Sequence, residues 1–103
     1  MTTAKPMQLG MVGLGRMGAN LVRRLVNDGH SCVVYDVNTA AVTQLEGEHV
    51  VGSASLAEFV TKLAAPRAIW MMLPAAVTQA ALDELVQHLE ANDVVIDLSL
   101  IHI

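Results

Sequence analysis

The sequence predicts an α/β fold: one doubly wound parallel sheet of five strands, with helices on both faces. Three observations carry that expectation. Short apolar runs alternate with segments whose apolar residues recur at helical spacing, and parallel neighbours need such a crossover between them. The runs are apolar almost throughout rather than at every second residue, as strands covered on both faces must be. Three glycines, Gly13, Gly15 and Gly18, stand where the first run passes into the first helical segment.

Each element has its own local reason. "QLGMVGLG" is a short apolar run ending in glycines, which suits a buried strand. From Arg16 the period becomes helical. Met17, Leu21, Val22, Leu25 and Val26 share one face, while Arg23, Arg24 and Asn27 share the other. Gly29 is the expected stop, because glycine accepts the left-handed conformation that ends helices. "CVVYDV" is the second strand, and Asn38 offers a side-chain cap to a helix carrying Val42 and Leu45, which Gly47 closes. "HVVG" is a third strand. "SLAE", Ser55 to Glu58, has capping-box spacing and opens a helix through about Leu63. Pro66 breaks that helix, and "AIWMMLP" is the fourth strand, ended by Pro74. Val77 to Glu90 is helical, with Leu82, Leu85, Val86 and Leu89 on one stripe and Asp83, Glu84 and Glu90 on the wet face. "DVVID" is the fifth strand.

Composition narrows the function. At 103 residues the chain has room for one domain, and 53% hydrophobic against 16% charged residues indicates a packed core. With aromatics at 3%, Val, Leu, Ile, Ala and Met must build it. A formal charge of −4 without any basic cluster argues against nucleic acid, whose affinity comes largely from Lys and Arg. No apolar stretch is long enough for a membrane span or a secretory leader. The lone Cys32 forbids an intrachain disulfide, reads as a small core residue and fits a cytoplasmic protein. His30, His49, His88 and His102 are scattered without metal-ligand spacing, and no catalytic triad or Cys/His pair can be assembled.

The glycines carry the functional expectation. They form G-x-G-x-x-G after an apolar strand and before a helix, and Asp36 closes the second strand about twenty residues on, as a dinucleotide-binding fingerprint requires. Gly13 permits the tight turn, Gly15 lets bare backbone approach a pyrophosphate, and Gly18 lets the helix pack near the strand. Free N–H groups and the positive end of the helix dipole then supply the anion site without a lysine. A glycine turn that binds nothing, or one serving a methyl donor, fits this context less well. Asp36 can accept from both ribose hydroxyls of NAD and repels the 2′-phosphate of NADP. With Val37 and Asn38 following and no arginine, NAD is the expected coenzyme and NADP the less expected one. The carboxyl end of the fourth strand lies beside the first where the connections reverse, so Leu73, Pro74 and Ala75 should border the ligand. Met71 and Met72 read as core filling. Residues 1–97 therefore form a Rossmann-type dinucleotide-binding domain, and 98–103 an atypical tail.

"GLGRMGANLVRRLVNDGH", "YDVN", "PRAIWMMLPA" and "DVVID" resemble the N-terminal coenzyme domain of decarboxylating 6-phosphogluconate dehydrogenase, from Gln8 to Asp97. The resemblance implies oxidation of 6-phosphogluconate to ribulose 5-phosphate in the pentose phosphate pathway. It also implies coenzyme contacts at Gly13, Leu14, Gly15, Arg16, Met17 and Gly18, at Asp36, Val37 and Asn38, and at Leu73, Pro74 and Ala75. NADP-using members carry Asn-Arg-Thr where this chain has Asp36, Val37 and Asn38, which favours the NAD branch. After the fifth strand the family continues Gly-Gly-Asn-Ser, whereas this chain reads "DLSLIHI". The family's catalytic lysine and glutamate lie in a later helical domain, through which it dimerises, so no catalytic residue is assigned here. The sugar-phosphate substrate belongs to the full-length protein, and these 103 residues are expected to bind coenzyme without turnover.

The neighbouring β-hydroxyacid dehydrogenases are the alternative. They share the glycine turn and a Met-Leu-Pro on the fourth strand, and Asp97-Leu98-Ser99 resembles their Asp-x-Ser. "PRAIW" is foreign to them. A nucleotide-sensing domain without catalysis is a further alternative, since binding alone needs no catalytic group. So is a poorly folding fragment with an uncovered strand edge.

Overall fold

A computed structural model describes residues 6–97. Nine elements alternate strictly: β1 (Gln8–Val12), α1 (Arg16–Asn27), β2 (Ser31–Tyr35), α2 (Thr39–Leu45), β3 (Val50–Gly52), α3 (Leu56–Thr61), β4 (Ala68–Met71), α4 (Ala75–Val86) and β5 (Val94–Asp97). The sheet is ordered β3-β2-β1-β4-β5, and every pairing is parallel. Connections run outward from β1 to β3, then cross back to β4. The carboxyl ends of β1 and β4 thus form the switch point of the sheet.

Two buried layers sandwich the sheet. On one face Met11, Val22, Cys32, Val34, Val42 and Val50 pack beneath α1 and α2. On the other Val12, Val33, Phe59, Ile69, Met71 and Leu85 pack beneath α3 and α4. Successive residues such as Met11 and Val12 or Val33 and Val34 thus serve opposite faces, which is why the strands read as unbroken apolar runs. Burying either layer contributes about 1.5–3 kcal/mol per large apolar side chain. Gly10 sets how closely α3 can sit: a Cβ there would come within 2.6 Å of Phe59 and 2.8 Å of Leu63.

Local signals work largely as expected. Gly29 ends α1 with φ +93°. Asn38 caps α2, its Oδ1 accepting from the N–H groups of Ala40 (3.1 Å) and Ala41 (3.4 Å). Ser55 Oγ accepts from the Glu58 N–H, while the Glu58 carboxylate reaches back to the N–H of Ala54, one residue before the cap. The opposite end of the sheet is fastened by Asp93, whose carboxylate accepts from the backbone N–H groups of Arg67 (2.6 Å) and Glu90 (2.8 Å) and from the Arg67 guanidinium (2.9 Å).

Three expectations need correction. Helix α4 starts two residues earlier than the apolar stripe suggested and ends at Val86. Beyond it Gln87, His88 and Leu89 donate to carbonyls three residues back, a tighter turn than an α-helix. Val86 is exposed; the buried side of α4 runs through Thr78 and Leu85, with Leu82 and Leu89 half-buried. Met17 is exposed as well, because the first turn of α1 stands at the carboxyl edge of the sheet and not over it. His30 Nδ1 accepts from the Met7 N–H at 3.0 Å, an exposed contact. His102 and the tail 98–103 lie outside the described residues.

Candidate functional site

The three glycines of the switch point do three different things. Gly13 turns the chain out of β1 with φ +101°, where a side chain is strained, and a Cβ there would collide with the carbonyl of Met72. Its N–H donates to the Tyr35 carbonyl at 3.0 Å, which holds the turn against β2. Gly18 packs the first turn of α1 onto that same loop, and a Cβ on it would run into the Gly13 carbonyl oxygen. Gly15 faces open space, with nothing within 4 Å of where a Cβ would be. It is the N-cap of α1, and neither a side-chain cap nor an acidic first-turn residue occupies the positive end of this 12-residue helix. Bare backbone with room before it is what a pyrophosphate needs.

Asp36 lies immediately beyond β2 and is half-buried. Its Oδ2 accepts from the N–H of Leu14 at 2.6 Å, and its Oδ1 accepts from the N–H of Asn38 at 2.8 Å. The carboxylate therefore braces the glycine loop against the end of β2, while Asn38 does the capping of α2. Two amide contacts leave lone pairs on both oxygens, so further donors can still be accommodated.

A cleft of about 600 Å³ opens between this loop, the end of β2 and α4. Gly13, Gly15, Asp36, Val37, Leu73 and Pro74 line it, six of the positions expected from the sequence. Val37 projects with 86% of its surface exposed. Leu14 and Gly18 are buried beneath the loop, so Leu14 meets the site only through its N–H. Arg16, Met17 and Asn38 are exposed but outside its walls, and Ala75 opens α4 just past Pro74. Sequence reasoning missed the far wall: Tyr35, Leu56, Val77, Ala80, Ala81 and Glu84. Val77, Ala80, Ala81 and Glu84 recur at i, i+3, i+4 and i+7, a helical face the sequence does carry. Glu84 is exposed as expected, yet it borders the cleft. Among the described residues the walls hold the carboxylates of Asp36 and Glu84 and no lysine, arginine or histidine. Among the described residues no three His, Cys, Asp or Glu side chains gather as a metal site, and no helix is long and apolar enough to cross a membrane.

A parallel sheet in this order, with a glycine turn at the switch point and an acid closing the second strand, defines a dinucleotide-binding domain. Residues 8–103 match the family model of the NAD binding domain of 6-phosphogluconate dehydrogenase, and the chain belongs to that family. It is 40% identical over 92 residues to the NAD-dependent decarboxylating 6-phosphogluconate dehydrogenase of Haloferax volcanii, covering 88% of this chain and 31% of that protein. It is 37% identical over 95 residues to the NADP-dependent decarboxylating enzyme of Bacillus subtilis, covering 87% of this chain and 20% of that one. The chain thus spans a third or less of the length of these relatives. The fold is also similar to that of A. aeolicus prephenate dehydrogenase solved with hydroxyphenyl propionate and NAD+: TM-score 0.78 at 19% identity, over 95% of this chain and 35% of that one.

Proposed function

We propose that this chain is the coenzyme-binding part of a decarboxylating 6-phosphogluconate dehydrogenase and that it prefers NAD to NADP. The observation that carries the preference is the Asp36 carboxylate on a cleft wall to which the described residues bring no cation. A carboxylate there accepts from unphosphorylated ribose and repels a 2′-phosphate, which needs an arginine close by. The N–H groups at the start of α1 receive the pyrophosphate over Gly15, and Leu73 and Pro74 border the far side. When bound, the dinucleotide supplies a hydride acceptor.

The chain's own residues bind and orient that group. No side chain among them is assigned to holding the sugar acid or moving its protons, so these 103 residues bind coenzyme without turnover. The sugar phosphate, the pentose phosphate pathway, the homodimer and the cytoplasmic location belong to the full-length reading. Fluorescence titration with NADH and NADPH tests the proposal: NADH binds more tightly by about tenfold or more, in keeping with one charged hydrogen bond. Tighter NADPH binding, or 6-phosphogluconate oxidation by this chain alone, overturns it.

A further inference from the structure

We propose that Glu84 reads the adenine base, accepting a hydrogen bond from its exocyclic amine. The inference rests on the dinucleotide reading above and extends it to the end of the ligand farthest from the chemistry. The cleft runs from the glycine loop past Asp36 to α4, so a ribose held at Asp36 directs its base toward that helix. There the wall is apolar and low. Val77, Ala80 and Ala81 present small side chains on one face of α4, and Val37 stands exposed at the other side of the cleft. Such walls fit a flat aromatic ring and give it no polar contact. Glu84, one turn beyond Ala80 and Ala81, supplies the polar group at the end of this face.

Three features make it an acceptor for the base and not a structural residue. Its side chain is exposed and has no hydrogen bond or ion pair among the described residues. Its neighbour Asp83 is engaged by Gln79 at 2.8 Å, so the two acids of this turn are not equivalent. A carboxylate can only accept, and among the common nucleobases adenine presents a donor amine at the edge opposite its sugar, where hypoxanthine presents a carbonyl. Recognition by Glu84 therefore distinguishes an amino-purine from an oxo-purine dinucleotide.

The test compares NADH with reduced nicotinamide hypoxanthine dinucleotide, which carries a carbonyl in place of that amine and an N–H in place of the neighbouring ring acceptor, by fluorescence titration of the whole chain. The wild type is expected to favour NADH by about fivefold, the worth of one exposed hydrogen bond. Glu84→Ala should bring the two affinities together by weakening NADH alone. Glu84→Gln, whose amide can donate to a carbonyl, should also narrow the gap by improving binding of the hypoxanthine form. Equal affinities in the wild type, or a preference that survives Glu84→Ala, overturns the inference and leaves dinucleotide binding intact. Absence of any NADH binding removes both readings together.

Discussion

The N–H of Leu14 donates to the Asp36 carboxylate at 2.6 Å, joining the glycine loop to the group proposed to hold the ribose. Leu14 is itself buried among the residues under α1, so the loop is anchored from beneath by packing and from the side by charge. The Asp36 carboxylate therefore braces the loop geometry, in addition to the coenzyme selection proposed for it.

Asp36→Asn separates those two contributions. The asparagine oxygen can keep one backbone amide but has no charge to place beside a phosphate. NADH affinity should fall about tenfold and NADPH should approach parity with it, since a charged hydrogen bond is replaced by a neutral one. Parallel titrations of the variant and the wild type measure this. An unchanged NADH-to-NADPH ratio would remove Asp36 from coenzyme selection.

Gly18 is held to its size by the Gly13 carbonyl. Gly18→Ala must therefore push α1 away from the loop or distort the turn, at about 1–3 kcal/mol in a packed interior. Denaturant unfolding is the readout. Gly15→Ala, at an open position, should leave stability within about 0.5 kcal/mol and weaken NADH binding instead.

At the other end of the sheet, the backbone N–H groups of Glu90 and Arg67, with the Arg67 guanidinium, hold the Asp93 carboxyl below its ordinary pKa. A carboxyl whose pKa is lowered by folding stabilises the protein above its unfolded pKa and loses that contribution as pH falls through the folded value. The Asp93 share of stability is thus complete at neutral pH and disappears on acidification below the ordinary carboxylate range. Asp93→Asn should flatten the acid limb of the pH–stability curve and cost more at pH 7 than Gln79→Ala, which removes an exposed hydrogen bond to Asp83. Urea melts from neutral to acid pH check both.

Burial pushes the Cys32 thiol up to about 11, so at pH 8 it is protonated as well as covered. Iodoacetamide should not label the native chain and should label it in urea. Cys32→Val should fold within about 1.5 kcal/mol of the wild type, being near in volume and apolar.

Much of this was legible in advance, and the rest was hidden for definable reasons. The alternation of elements, the glycine turn and Asp36 speak through local backbone needs, which residue type reveals directly. The Leu14–Asp36 contact crosses two strands, and no periodicity encodes a backbone donor. Gly10 reads as an ordinary strand residue; its importance comes from Phe59 on α3 and Leu63 just beyond that helix, far along the chain. The stripe that included Val86 and continued to Leu89 has helical spacing, but three residues cannot separate a period of 3.6 from the tighter turn that follows α4. The α4 wall of the cleft was written in Val77, Ala80, Ala81 and Glu84, yet alanines facing a ligand and alanines facing water look alike until the opposite wall is known.

The most direct measurement is a pair of proton–nitrogen correlation spectra of the labelled chain, without and with NAD+. Amide shifts concentrated at Gly13, Gly15, Arg16 and Val37, with the Leu14 amide kept far downfield by Asp36, are the predicted result. Shifts scattered elsewhere on the sheet, or none at saturating NAD+, would contradict a diphosphate held by the open end of α1.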